Sequence, residues 1–167
     1  GFRPQAYRSF CGPASIATVL RAFGAQRADQ VSLFPSLRTK IDAFYTGMSL
    51  VELDELARSV GLRTELVYAD TINLAEFRAR LKTNLAREGD FVLVNYDRRV
   101  LQQSGRGHIS PVGAYDPERD AFLIVDQASY KYPWTWVPTD LLYAAVRTFD
   151  GQRPRGLLFI HGYVPPG

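Results

Sequence analysis

The chain has 167 residues, of which 46% are hydrophobic and 22% charged. That is a globular balance in a length suited to one domain or a two-lobed one, and it excludes a disordered or collagen-like chain. The 20 basic and 17 acidic residues leave a formal charge of only +3. They are interleaved without a basic run, so a nucleic-acid groove is not indicated, and no apolar stretch approaches the roughly 20 residues that span a bilayer.

The first half reads as helical. Pro13 suits a first helical turn and Gly24 a stop, and Ile16, Val19, Leu20 and Phe23 form one apolar stripe between them. A second helix starts at Ser49, where Ser49 and Glu52 make a capping box ahead of Leu50, Leu53 and Ala57, with Gly61 beyond. Arg63 to Tyr68 reads as a short strand. Asn73 and Glu76 open a third helix, which runs through Leu81 and Leu85 and ends before Gly89. The second half reads as strands at Phe91–Tyr96, His108–Tyr115, Ala121–Val125 and Gly156–Val164. A turn at residues 116–120 is set by Pro117, and a short helix spans Thr139–Val146. A helical part followed by an antiparallel part predicts an α+β fold, with a helical lobe over about residues 1–89 and a sheet lobe over about 90–167. The join between such halves is a common place for a cleft.

The single cysteine, Cys11, rules out an intrachain disulfide and a Cys-rich metal site, and leaves the compartment open. It lies in Ser9-Phe10-Cys11-Gly12-Pro13-Ala14-Ser15, at the start of an amphipathic helix. The helix dipole and free N–H groups there favour a thiolate. Gly12 leaves room for a carbonyl to approach, and the N–H groups of the turn can serve an oxyanion. The same local pattern fits a small buried hydrophobe. Of the two histidines, His108 follows the glycine-rich Gly105-Arg106-Gly107 at the entrance to a strand, where a base has a fixed position and open space. His161 lies in ordinary strand alternation. Asp126 ends the apolar strand Phe122-Leu123-Ile124-Val125. Pairing through the 116–120 turn brings it towards His108, where a carboxylate would orient the imidazole; taken alone, it is a common strand-end residue. Gln5, upstream of Cys11, has an amide able to donate to an oxyanion; without the cysteine it would be a solvated glutamine. The order Gln, Cys, His, Asp is that of papain-like thiol enzymes, with Asp in place of the usual Asn.

These segments resemble the phytochelatin synthase family. Phe10-Cys11-Gly12-Pro13-Ala14-Ser15 is similar to its nucleophile motif, and Gln103-Ser104-Gly105-Arg106-Gly107-His108-Ile109-Ser110-Pro111 to its histidine segment. Asn95-Tyr96 with Arg98, Val125-Asp126, Tyr130-Lys131-Tyr132-Pro133 and Trp136-Val137-Pro138 resemble further family segments. The resemblance runs from Gln5 to about Ile160. It implies a papain-like fold with Cys11, His108 and Asp126 as a triad and Gln5 at the oxyanion hole. It implies glutathione as donor: glycine is released, and a γ-glutamylcysteinyl thioester on Cys11 passes to water or to a second glutathione. It also implies that Asp150 and Arg155-Gly156 hold the γ-glutamyl head group, for which a carboxylate and a guanidinium fork are chemically suited.

The chain resembles the short bacterial members, in which hydrolysis tends to dominate over synthesis. It lacks the Cys-rich C-terminal region of plant members, begins four residues before Gln5, and carries Ala128-Ser129 where the family has Ala-Arg. The expected partners are glutathione and its metal thiolates. No cofactor is expected to be tightly bound, and a thiophilic ion such as cadmium or zinc is expected to arrive as a glutathione thiolate. A homodimer is compatible with the sequence, as is a bacterial cytoplasm or periplasm. The competing readings are a bacteriocin-processing type of cysteine peptidase and a non-catalytic thiol-peptide binding module.

Overall fold

A computed structural model describes residues 1–167. In chain order the elements are α1 (Cys11–Ala22), α2 (Leu37–Thr46), α3 (Leu50–Ser59), β1 (Leu62–Tyr68), α4 (Leu74–Leu85), β2 (Phe91–Asp97), β3 (Gly107–Asp116), β4 (Ala121–Ile124), β5 (Thr135–Pro138), α5 (Thr139–Val146), β6 (Phe149–Asp150), β7 (Arg153–Pro154) and β8 (Gly156–Tyr163). Six strands make one sheet in the order β1-β8-β2-β3-β4-β5, every pair antiparallel. The small β6–β7 hairpin stands apart.

The sheet is buried on both faces by alternate residues of the same strands. On β8, Leu157 and Phe159 point towards Phe77 and Leu81 of α4 and Leu142 of α5. Leu158 and Ile160 point the other way, towards Ile16, Val19 and Leu20 of α1 and Leu53 and Leu56 of α3. The fold is α+β, with the cysteine-bearing helix packed on an antiparallel sheet that carries the histidine.

The helix starts follow their caps. Ser49 and Glu52 close a reciprocal capping box on α3, and Asn73 and Glu76 close another on α4. α1 begins at Cys11 rather than Pro13, with Phe10 as an N-cap whose side chain makes no capping bond. The sequence reading passes over α2. Ser36 caps it, but Ala43 is its only buried residue, while Leu37, Ile41, Phe44 and Tyr45 are exposed. The short edge strand β5 and the β6–β7 hairpin are also absent from that reading. The sheet recruits β1 from the first half, and α4 packs on the sheet face opposite α1, so helices cover both sides of the strands. No helix is long and apolar enough to cross a membrane.

Candidate active site

α1 presents Cys11 in its first turn, where the N–H groups, that of Cys11 included, have no partner within the helix. The helix is held against β3 by Ser15, whose Oγ donates to the Cys11 carbonyl at 2.7 Å and to the Ile109 carbonyl at 3.3 Å. That fastening brings the thiol to the start of β3, where His108 is paired in register with Tyr96 of β2.

His108 is buried. Its Nε2 meets Asp126 Oδ1 at 2.9 Å, which leaves Nδ1 to meet the Cys11 thiol, and the two side chains are hydrogen-bonded. Burial alone would push the thiol up. The hydrogen bond and positive charge of His108, with backbone contacts at Ile109 and Gly12, outweigh burial and hold Cys11 below the usual thiol range. Burial likewise pulls His108 down, while its bonds to Asp126 and Cys11 raise it above the ordinary imidazole range. Both shifts favour a thiolate–imidazolium pair.

Asp126 follows β4, where Val125 still donates to the Pro111 carbonyl of β3 at 2.9 Å. Its Oδ1 accepts from His108 and from the Ala128 N–H at 2.8 Å. Arg98 then grips both oxygens, with Nη1 to Oδ2 at 2.8 Å and Nη2 to Oδ1 at 2.9 Å. Burial would raise this carboxyl; His108 and the Arg98 fork hold it well below the usual carboxylate range. The Tyr96 ring meets the imidazole edge to face, 5.7 Å between centroids. Arg98 thus holds the carboxylate that in turn holds the imidazole. The sequence offered Asn95-Tyr96-x-Arg98 as a resemblance without a role, because the pairing with Asp126 spans 28 positions.

Gln5 is buried beside this group, and its backbone N–H donates to the Gln127 carbonyl at 2.8 Å. Its side chain is turned onto its own loop, Nε2 donating to the Tyr7 and Arg8 carbonyls at 2.9 and 3.0 Å. The expected oxyanion donor is therefore near the site but has its protons engaged, and the Cys11 N–H of the α1 turn is the donor already available.

Two open cavities flank His108. One, of about 360 Å³, runs from Cys11 past Met48 to Asn95, Asp150 and Arg155. The other, of about 510 Å³, is walled by Gln5, Arg98, Tyr130 and Lys131. Arg155 is buried at the end of the first, its Nε donating to Thr148 Oγ1 at 3.1 Å and its Nη1 to Asn95 Oδ1 at 3.2 Å. Asp150, from the β6–β7 hairpin, is exposed with Oδ1 at 3.8 Å from Arg155 Nη2. A Cβ at Gly107 would lie 2.5 Å from Arg155 Nη1, so a side chain there would displace the guanidinium. The structure therefore brings Cys11, His108 and Asp126 together and puts Asp150 and Arg155 in the thiol's cavity. His161 is on β8, against Asp90 at 3.0 Å and Glu65 at 3.4 Å, outside both cavities.

The sequence matches the model of the phytochelatin synthase family over residues 1–157. The chain belongs to that family. It is 32% identical over 158 residues to glutathione gamma-glutamylcysteinyltransferase 3 of Lotus japonicus, covering 89% of this chain and 33% of that protein. The same identity over 158 residues relates it to glutathione gamma-glutamylcysteinyltransferase 1 of Triticum aestivum, covering 89% and 32%. It is 29% identical over 171 residues to the glutathione gamma-glutamylcysteinyltransferase of Schizosaccharomyces pombe, covering 95% and 41%. The chain thus spans 32–41% of the length of these relatives.

Proposed function

We propose that residues 1–167 form one papain-like catalytic domain that acts on glutathione as a γ-glutamylcysteinyltransferase and hydrolase, with Cys11 as nucleophile, His108 as acid and base, and Asp126 as the residue orienting it. The observation that carries this reading is the hydrogen-bonded line Cys11–His108–Asp126 at the mouth of a cavity that ends in a buried guanidinium.

The Cys11 thiolate attacks the carbonyl of the Cys–Gly bond. The Cys11 N–H of the α1 turn stabilises the oxyanion, with the Gln5 amide joining it if that amide leaves its loop carbonyls. Protonated His108 gives its proton to the departing glycine amine as the C–N bond breaks, and a γ-glutamylcysteinyl thioester remains on Cys11. Water, or the α-amine of a second glutathione, then attacks the thioester. His108 accepts the proton, and γ-glutamylcysteine or phytochelatin leaves as the thiolate reforms. Arg155 forks onto the donor's α-carboxylate and Asp150 pairs with its α-ammonium. Ser129 leaves the acceptor side one charge short of the family segment, so hydrolysis is the major route. Thiophilic ions such as cadmium or zinc enter as glutathione thiolates and are part of the substrate. That the chain is of the short bacterial type, in a bacterial cytoplasm or periplasm, rests on the sequence resemblance alone; the relatives named above come from plants and a yeast.

The test is incubation with glutathione, with and without cadmium, resolving glycine, γ-glutamylcysteine and longer products. Glycine release by the parent protein and none by Cys11→Ala supports the reading. Equal release by both refutes it. A double-glycine leader peptide cleaved in place of glutathione would favour the peptidase alternative.

A further inference from the structure

The two cavities beside Cys11 share a border formed by Arg8, Arg106, Gly107 and His108. The walls of the second cavity carry Arg8, Arg98, Arg106 and Lys131 and no carboxylate. Two of those cations are already engaged. Arg98 is spent on Asp126, and Lys131 Nζ donates to the Ser104 carbonyl at 2.7 Å. Arg8 and Arg106 are exposed, and neither side chain has an acidic partner or a hydrogen bond of its own. Two free guanidinium groups thus line the same two cavities as the general acid. The buried Arg155, with Asp150 beside it, lies at the far end of the thiol's cavity.

Stereochemistry fixes what passes that border. With the γ-glutamyl group held at Arg155 and the scissile carbonyl at Cys11, the leaving nitrogen must lie against His108, because His108 protonates it. The chain beyond that nitrogen points away from Arg155, towards the second cavity. In a C-terminal glycine the carboxylate is only two bonds past the nitrogen, so it must come to rest within a few ångströms of the imidazole. The free charges bordering the imidazole there are Arg8 and Arg106.

We infer that Arg8 and Arg106 form a carboxylate-recognition site on the leaving-group side of Cys11. It restricts the enzyme to peptides whose scissile bond is followed by a single residue with a free C-terminal carboxylate. The inference rests on the proposed glutathione reading and narrows it to a carboxypeptidase-like specificity. The same site takes any α-amino carboxylate that attacks the thioester, because the attacking amine and the departing amine occupy one place.

The test separates binding from turnover. Cys11→Ala protein is titrated calorimetrically with glutathione and with its glycinamide analogue, in which the carboxylate is an uncharged amide. Glutathione binds about tenfold more tightly, as expected for charge-assisted bonds at a partly exposed site. Adding Arg8→Gln and Arg106→Gln brings glutathione down to the analogue's affinity. The control Arg119→Gln, on the distant β3–β4 turn, leaves the ratio unchanged. Equal affinities in the Cys11→Ala protein overturn the inference, as does a ratio that survives the double substitution or falls equally with Arg119→Gln. Failure of the parent protein to release glycine from glutathione refutes the functional reading instead, and the binding comparison still decides the carboxylate site.

Discussion

The buried Arg98–Asp126–His108 line makes a prediction with opposite signs at its two ends. Asp126 raises His108 through the bond at 2.9 Å, whereas the positive charge of Arg98 lowers it. Asp126→Asn removes the carboxylate that stabilises imidazolium, so the His108 pKa falls. Arg98→Met removes the opposing cation and leaves Asp126 ionised, so the His108 pKa rises. Both variants break a buried ion pair whose members are 4% and 2% exposed, and each should lose about 3–5 kcal/mol of stability. In a chain of this length that lowers the melting temperature by about 6–20 °C, at 2–4 °C for each kcal/mol. The assay is NMR titration of the imidazole Cε1–H signals, assigned with His161→Gln because the chain has only two histidines. The alkaline limb of kcat/KM for glycine release should move with the signal, down for Asp126→Asn and up for Arg98→Met. A shift of both variants in the same direction would refute the electrostatic reasoning, whatever the losses of activity.

Alkylation of Cys11 by iodoacetamide should show an acid limb below the ordinary thiol range, because the thiol is lowered by His108; His108→Ala should move that limb upwards, and an unmoved limb would exclude a thiolate–imidazolium pair. Gly107→Ala keeps an ordinary backbone but drives a Cβ against Arg155, so the KM for glutathione should rise about tenfold through loss of the buried bond to Asn95, with a smaller change in kcat. Arg155→Lys keeps the charge but loses the planar fork and should weaken donor recognition by roughly 1–3 kcal/mol in kcat/KM; cysteinylglycine should be a poor donor, and its efficient turnover would remove Arg155 and Asp150 from the head-group site. His161→Ala, which touches neither cavity, should leave turnover near that of the parent protein.

What could be read in the sequence was local. Ser49 with Glu52 and Asn73 with Glu76 state their helix starts within four residues, and both capping boxes form. The start of α1 was harder to read, because Phe10 carries no capping side chain and Pro13 is the only explicit signal. α2 escaped because its apolar residues face outwards, so its pattern does not report a buried stripe. At the site, Cys11 stands out by its place at a helix start, His108 by the glycine-rich loop before it and Asp126 by its place at a strand end. The grip of Arg98 on Asp126 and the Asn95 contact that steadies Arg155 are tertiary contacts between distant segments, and the turn of the Gln5 amide onto Tyr7 and Arg8 is a loop conformation; no spacing rule encodes any of them.

The central claim is that Cys11 carries the γ-glutamylcysteinyl group as a thioester after glycine has left. Rapid acid quenching of the protein with glutathione, followed by mass spectrometry of the peptide containing Cys11, tests it most directly. The account predicts an increment equal to a γ-glutamylcysteinyl acyl group on that peptide, labile to hydroxylamine and matched by free glycine, and absent from His108→Ala. Release of glycine with no adduct on Cys11 under any quench, and at the same rate from Cys11→Ala, would contradict it.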